Sequence, residues 1–142
     1  MKYLLDTDHI SFLQEQRGPE YAVLSARMAQ HPSTDFVFSI VSFHEQTLGG
    51  HAFLIRARTP AEVIRGHIQL MNVLNIFTTV PVLPFDAAAT AVFAGLQAQR
   101  TRVGTMDLRI AAIALSQGLT LLTRNTRDFG RVPGLVTEDW TI

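Results

Sequence analysis

Short apolar runs alternate along this chain with longer segments of helical periodicity, and this alternation constrains the fold more than any other feature. The runs at 2–6, 36–40, 80–84 and 119–123 have the length and composition of strands. Strands that alternate with helices predict a parallel sheet covered on both faces. We therefore expect one compact α/β domain over residues 1–142, with a central sheet of four to five short strands.

Local sequence signals predict where the helices begin and end. Helix starts are predicted near Asp8, after Pro19, at Ser42-Phe-His-Glu45, at Thr59-Pro60, at Asp86 and at Thr105. Gly49-Gly50 is expected to end or weaken the third of these helices. The helix after Thr59 is expected to bury a stripe of Val63, His67, Leu70, Leu74 and Phe77. The helix from Thr105 to Gly118 is apolar almost all round and should be deeply buried, and Leu135-Val136 could form a last strand.

Composition excludes several classes of protein. The chain has no cysteine, which excludes disulfides, a cysteine nucleophile and thiolate metal sites. Its 12 basic and 12 acidic residues balance, so it lacks the globally basic surface of many nucleic-acid-binding proteins. The longest stretch without a charged residue, 66–85, contains polar residues and two prolines and is a poor membrane span. We expect a cytoplasmic protein that does not bind membranes.

Four acidic residues fall where a parallel sheet would gather them. Asp6 ends the first strand, Glu45 lies one helical turn beyond the second, Asp107 lies in the first turn of the buried helix, and Asp128 follows the strand at 119–123. Each alone has an ordinary explanation as a strand end, a helix cap, a partner of the helix dipole or a turn residue. Ligands of open parallel sheets bind beyond the carboxyl ends of the strands, so the shared placement predicts a site.

Carboxylates gathered in this way repel one another and need a cation or protons to neutralise them. Oxygen ligands without histidine or cysteine indicate a hard cation, Mg²⁺ or Mn²⁺. A metal-activated water can then attack a phosphodiester without any side-chain nucleophile. The pattern therefore favours a metal-dependent hydrolase acting on phosphodiester bonds.

The chain also resembles the PIN-domain family, and within it the VapC-type toxins of toxin–antitoxin pairs. The matching stretches are Leu4-Leu-Asp-Thr-Asp8, Ser39-Ile-Val-Ser-Phe-His-Glu45, Val103-Gly-Thr-Met-Asp-Leu-Arg-Ile-Ala-Ala112 and Leu121-Leu-Thr-Arg-Asn-Thr-Arg-Asp-Phe129. Asp8 stands where the family usually has asparagine, and His44 where many members carry a second acid beside the glutamate.

The resemblance implies a three-layer PIN-like fold and a metal-dependent endoribonuclease. It implies that Mg²⁺ or Mn²⁺ is held by the catalytic acids Asp6, Glu45, Asp107 and Asp128, with Thr7, Thr105 and Asn125 in supporting roles. It further implies an RNA substrate, a cognate antitoxin and a homodimer. Three arginines lie next to these acids in sequence, where they either contact RNA phosphates or balance the carboxylates: Arg109, Arg124 and Arg127.

The sequence leaves two alternative functions open, a phosphatase and a non-catalytic binding protein, and it does not support a histidine metal site. Asp6-Thr-Asp8 after a strand also matches the opening motif of haloacid-dehalogenase-type phosphatases, with Asp6 as nucleophile and Asp8 as acid/base. That fold usually places a lysine at the phosphate, and the only lysine here is Lys2. A non-catalytic relative that binds RNA or a partner would keep the fold without the chemistry. The five histidines lack the paired spacing of zinc ligands.

Overall fold

The computed structural model describes residues 1–142 and contains five strands and seven α-helices. The strands are β1 (Tyr3–Leu5), β2 (Phe36–Ser39), β3 (Val82–Leu83), β4 (Thr120–Leu122) and β5 (Thr137–Glu138). The helices are α1 (Thr7–Glu15), α2 (Gly18–Met28), α3 (Ile40–Arg56), α4 (Pro60–Ile76), α5 (Ala87–Ala98), α6 (Thr105–Gln117) and α7 (Thr126–Phe129). A short 3-10 turn at Ser33–Asp35 precedes β2.

All five strands pair in parallel, in the order β3-β2-β1-β4-β5. This confirms the α/β fold class, and β3, which has prolines on both sides, lies at one edge of the sheet. Leu5 of β1 lies opposite Leu122 of β4, so the residues that follow these two strands emerge side by side. The final strand is Thr137–Glu138 rather than Leu135-Val136, because the N–H of Leu135 still bonds the Val132 carbonyl in the preceding turn.

The sheet separates two apolar layers. Leu4 and Leu5 are adjacent on β1, and because successive strand residues face opposite sides, they join different clusters. Leu4 packs with α5 and α6, and Leu5 packs with α1, α2 and α4. As predicted, α6 is deeply buried: Ile110, Ala111, Ala112, Ile113 and Ala114 are all at most 1% exposed.

The start and length of α3 differ from the prediction. The N-cap is Ser39, whose hydroxyl accepts the Ser42 N–H at 3.1 Å, so Ser42 lies within the first turn instead of capping it. Gly49-Gly50 does not end the helix, which continues to Arg56. A side chain at Gly50 would have its Cβ only 3.1 Å from Leu70 Cγ, so this glycine permits the close approach of α4.

The apolar stripe predicted for α4 is wrong for three of its five residues: Phe77 is buried and Leu70 packs against Gly50, but the other three are exposed. Val63 and Leu74 are 42% and 54% exposed, and His67 is exposed with its Nδ1 against the Val63 carbonyl. The buried face instead carries Gly66 and Val73. Gly66 packs against the Leu54 side chain of α3, and this contact rotates α4 away from the orientation that hydrophobicity alone predicts.

Two of the predicted helix caps are confirmed, and a second one, in addition to Ser42, is not. Thr59 and Asp86 accept N–H bonds from the third residues of α4 and α5. Thr105 is not a cap; it is the first residue of α6, where Gly104 occupies the N-cap without a side-chain hydrogen bond. None of the helices combines the length and hydrophobicity that a membrane crossing requires.

Candidate active site

Asp6 is the most deeply buried carboxylate of the candidate site. It directly follows β1, is 6% exposed and caps α1, with Oδ1 accepting the Thr7 N–H at 2.8 Å. Its other oxygen accepts the hydroxyl of Thr123 at 2.8 Å. Thr123 follows β4, the neighbour of β1, so the parallel register of the two strands creates this contact across the sheet.

Asp8 lies beside Asp6 and is held from two sides. Its Oδ2 accepts the Arg124 N–H at 3.0 Å, and its Oδ1 lies 2.6 Å from Nδ1 of His9. The His9 ring is fully buried, and its Nε2 accepts the N–H of Trp140 at 3.2 Å. Asp8 therefore belongs to the same acidic site as Asp6.

Glu45 reaches the site from the first turns of α3. The hydroxyl of Thr7 donates to Glu45 Oε1 at 3.1 Å and also lies 3.0 Å from the Ser42 hydroxyl. Thr7 thus links the start of α1 to α3, which agrees with the supporting role expected of it.

Asp107 and Asp128 complete the set from the other side. Asp107 lies in the first turn of α6, as predicted. The side chain of Asp128 is 44% exposed, is bonded by the Asn125 amide at 3.2 Å, and lies 3.6 Å from the Arg131 guanidinium. Asp128 is therefore at the rim of the site, while Asn125 orients it and caps α7. Thr105 is exposed and its hydroxyl contacts none of the acids.

Burial and mutual repulsion raise the pKa of three of these carboxyl groups. Burial, followed by the charge of Asp8, raises the pKa of Asp6 to about 7, although its bond from Thr123 opposes the change. Burial also raises the pKa of Glu45, with the charge of Asp107 adding to it. The pKa of Asp107 is raised by burial and then by Asp128 and Asp8. The acids therefore share one electrostatic field.

Whether a metal ion fits this site depends on the donor atoms and their arrangement. No set of three or more acidic or histidine side chains is placed so as to hold an ion simultaneously. The donors are nevertheless all carboxylate oxygens, and their charges oppose one another's ionisation. Mg²⁺ keeps several waters and needs only one or two protein carboxylates, so this donor set fits a hydrated hard cation.

The three candidate arginines are near the site but contact none of its carboxylates through their side chains. The Arg124 guanidinium lies 5.5 Å above the Phe12 ring, and that of Arg109 lies 5.7 Å above Phe93. Arg127 is exposed on α7. None of the three forms an ion pair.

Sequence reasoning missed Thr123 and His9 as residues of the site. Both are fully buried polar residues, and each bonds one of the acids. Thr123 can be identified as a partner of Asp6 only when the strand order is known, because the two residues lie 117 positions apart in the chain. His9 directly follows the Asp6-Thr-Asp8 motif, but Trp140, whose N–H donates to the second ring nitrogen of His9, lies 131 residues away.

The geometry does not favour the phosphatase or a histidine metal site. Lys2 precedes β1, whereas Asp6 follows it, so the only lysine lies at the opposite end of the strand from the acids. The histidines form no group that could hold a metal ion.

Comparison with known proteins agrees with this fold. The PIN domain family matches residues 3–135. The tRNA(fMet)-specific endonuclease VapC of Salmonella typhimurium is 31% identical over 140 residues, which cover 99% of this chain and 98% of that protein. The protein of the same name from Shigella flexneri is 46% identical over 77 residues, covering 51% of this chain and 58% of that one.

Solved structures show the same architecture. VapBC-1 from nontypeable Haemophilus influenzae superposes with a TM-score of 0.77 at 24% identity, covering 100% of both chains. DNA-bound VapBC from Salmonella typhimurium gives a TM-score of 0.76 at 26% identity, covering 99% of this chain and 98% of that one. Because the family match and the Salmonella relative both extend over nearly the whole sequence, this chain belongs to the PIN-domain family, among its VapC members.

Proposed function

We propose that this chain is a metal-dependent endoribonuclease and the toxin of a toxin–antitoxin pair. One observation carries the proposal: Asp6, Glu45 and Asp107 come from three distant segments, and burial together with the charges of neighbouring carboxylates raises the pKa of each. Such an arrangement costs stability unless a cation neutralises it. The activity is supported by the names of two VapC relatives, which are an endonuclease and a ribonuclease.

In this proposal the carboxylates of Asp6, Glu45, Asp107 and Asp128 would hold a hydrated Mg²⁺ or Mn²⁺, one or two of them directly and the others through its water ligands. The cation, when bound, supplies Lewis acidity toward the phosphodiester and lowers the pKa of a water ligand. The chain's own residues hold the acids in place. Thr123 and the Thr7 N–H fix the two oxygens of Asp6, the Thr7 hydroxyl fixes Glu45, and Asn125 fixes Asp128.

The expected partners are also proposals for this chain. An RNA substrate is supported by the names of the VapC relatives, two of which specify tRNA(fMet). An antitoxin is supported by the VapBC complexes among the similar structures. We further propose that residues 1–142 fold as a single domain and assemble as a homodimer.

The experiment compares Asp6→Asn and Asp107→Asn with the unaltered chain, using Mn²⁺ or Mg²⁺ and end-labelled RNA. We expect either variant to lose cleavage by at least about 100-fold, in line with the loss of a transition-state electrostatic group. Asp86→Asn is the matched control, because Asp86 caps α5 away from the site and asparagine is an equivalent cap. Cleavage at the unaltered rate by either site variant would refute the assigned roles.

Metal titration separates the nuclease from a non-catalytic relative. We expect millimolar Mn²⁺ to raise the Tm of the unaltered chain and to raise that of Asp6→Asn much less. A chain that shows no rise in Tm and no cleavage would instead be a binding protein that has kept the fold.

A further inference from the structure

We propose that a cavity beside the carboxylates binds an unpaired nucleotide of the RNA substrate, with its base against Phe85 and its phosphate at Arg109. The cavity has a volume of about 400 Å³ and is lined by Ile40, Val41, His44, Phe85 and Arg109. This volume lies within the range of small-ligand sites in proteins. The inference rests on the proposed ribonuclease function and adds to it a subsite for one nucleotide.

The cavity lies at the end of the sheet where the acids are found. Ile40 directly follows β2, and Phe85 comes shortly after the neighbouring strand β3. His44 precedes Glu45 in α3, and its charge acts on that carboxyl group. Arg109 lies two residues after Asp107 in the buried helix α6. An RNA strand bound across the acids can therefore place a neighbouring nucleotide in this cavity.

Arg109 is available for a phosphate. It takes part in no ion pair, and its contacts are the Phe93 ring, 5.7 Å from the guanidinium carbon, and the Met106 sulfur, 3.8 Å from Nη1. The aromatic ring orients the guanidinium without neutralising it. An arginine held in this way presents its fork of N–H donors to a phosphate.

The apolar wall suits a base. Phe85 is half-buried, and its ring packs edge-to-face on Phe93 at 5.8 Å, so its orientation is fixed from behind. Ile40 is 40% exposed on the opposite side of the cavity. Sequence-specific RNA recognition commonly stacks an unpaired base on an aromatic side chain. An apolar wall with an unpaired arginine next to it complements a nucleotide, which offers a flat base and an anionic phosphate.

The test measures RNA affinity without cleavage. A fluorescent single-stranded RNA is titrated with Asp6→Asn protein in EDTA, alone and with Phe85→Leu or Arg109→Gln added. We expect Phe85→Leu to raise Kd about 5- to 100-fold, the effect of losing one stacked base. Arg109→Gln should raise Kd and lower the slope of log Kd against log salt by about one phosphate contact. Arg65→Gln, an exposed position on α4, is the control and should leave both unchanged.

Two results would overturn the subsite. One is an unchanged Kd and salt slope in both variants. The other is an unchanged RNA affinity together with a change of oligomeric state in Phe85→Leu, measured by sedimentation, which would mean that a second copy of the chain covers the cavity. Failure of the nuclease proposal itself is read separately, from cleavage by Asp6→Asn in Mn²⁺.

A different observation, independent of the cavity, concerns His9: the geometry points to a positioning role for this residue. Its Nε2 accepts the Trp140 N–H at 3.2 Å, so its proton is on Nδ1 and is donated to Asp8 Oδ1 at 2.6 Å. The ring is completely buried and has no room to reorient. His9 thus locks the carboxylate of Asp8 next to Asp6, where its negative charge adds to the attraction for a cation.

Two substitutions of His9 each keep one of its two hydrogen bonds and remove the other. Asparagine places its amide near Nδ1 and can still donate to Asp8, while glutamine reaches the Nε2 position and can only accept from Trp140. We expect His9→Gln to weaken Mn²⁺ binding about 10- to 100-fold, as loss of a partner that orients a metal-site carboxylate does elsewhere. His9→Asn should retain most of the Mn²⁺ affinity of the unaltered chain. Binding is followed by the Mn²⁺-dependent rise in Tm, with no substrate present.

The imidazole nitrogen shifts of the unaltered chain give a second readout by NMR. They should report Nε2 as the acceptor and Nδ1 as the nitrogen that donates. A proton on Nε2, or equal loss of Mn²⁺ affinity in the two variants, would overturn the positioning role, as would no loss in either.

Discussion

Asp6→Asn should stabilise the metal-free protein, because the substitution removes a buried charge and keeps the shape of the side chain. The fold raises the pKa of Asp6 from its ordinary 3.8 to about 7, chiefly by burial. At 1.36 kcal/mol per pH unit, ionising Asp6 within the fold costs about 4 kcal/mol more than in the unfolded chain. The asparagine oxygen can still accept the N–H of Thr7 or the hydroxyl of Thr123.

The sign of the pH dependence follows from the order of the two pKa values. Below about pH 4 Asp6 is protonated in both states and costs nothing. Between about pH 4 and 7 the unfolded chain releases the proton first, so the free energy of unfolding falls as pH rises, and above about pH 7 the loss is constant. We therefore expect Asp6→Asn to gain about 4 kcal/mol at pH 8 and about 2 kcal/mol at pH 5.

Urea unfolding in EDTA measures this difference. Trp140 is the only tryptophan and is 2% exposed, so its fluorescence reports unfolding directly. The midpoint should increase without a change in the slope m. Asp86→Asn serves as the control and should give no gain at either pH. The prediction is wrong if Asp6→Asn is no more stable than the unaltered chain at pH 8, or if its gain in the free energy of unfolding is the same at both pH values.

Two further predictions concern packing and the site. Gly66→Ala should lower the free energy of unfolding by about 1–3 kcal/mol, because its Cβ would lie 2.7 Å from Leu54 Cγ. Gly95→Ala, whose Cβ would have nothing within 4 Å, should instead raise the free energy of unfolding by up to about 1 kcal/mol. Urea unfolding curves that rank the two variants the other way would contradict this. Thr123→Val removes a bond that lowers the pKa of Asp6, so the acid limb of the pH–cleavage profile should move up by about one pH unit; Thr123→Ser keeps the hydroxyl and should not move it, and an unmoved limb in Thr123→Val would refute this role.

The sheet and the main acids could be predicted from sequence because their signals are local. Short apolar runs identify the strands, and Asp6, Glu45 and Asp107 are placed by their distance from strand and helix ends. The exposed face of α4 could not be predicted, since it depends on which glycine packs against α3. Hydrophobic spacing selected Val63 and Leu74 for burial, but Gly66 determines the contact.

Two of the side chains that hold the acids in place also escaped prediction. Thr123 and His9 act on Asp6 and Asp8 only through partners that the sheet brings together. Ser39 caps α3 in place of the predicted Ser42 because β2 ends one residue before the helix begins, which leaves no separate loop. Sequence reasoning thus identified the chemical groups, whereas the packing of distant segments determines how they are oriented.

The parallel pairing of β1 with β4 has a consequence during synthesis of the chain. Asp6 is made early, but its partner Thr123 is added 117 residues later, roughly 6 to 23 s at ribosomal rates of about 5–20 residues per second. No amino-terminal fragment that stops before β4 contains the assembled carboxylate site. A chain built in this order has neither Thr123 nor Asp128 of the site until more than four fifths of it has been translated.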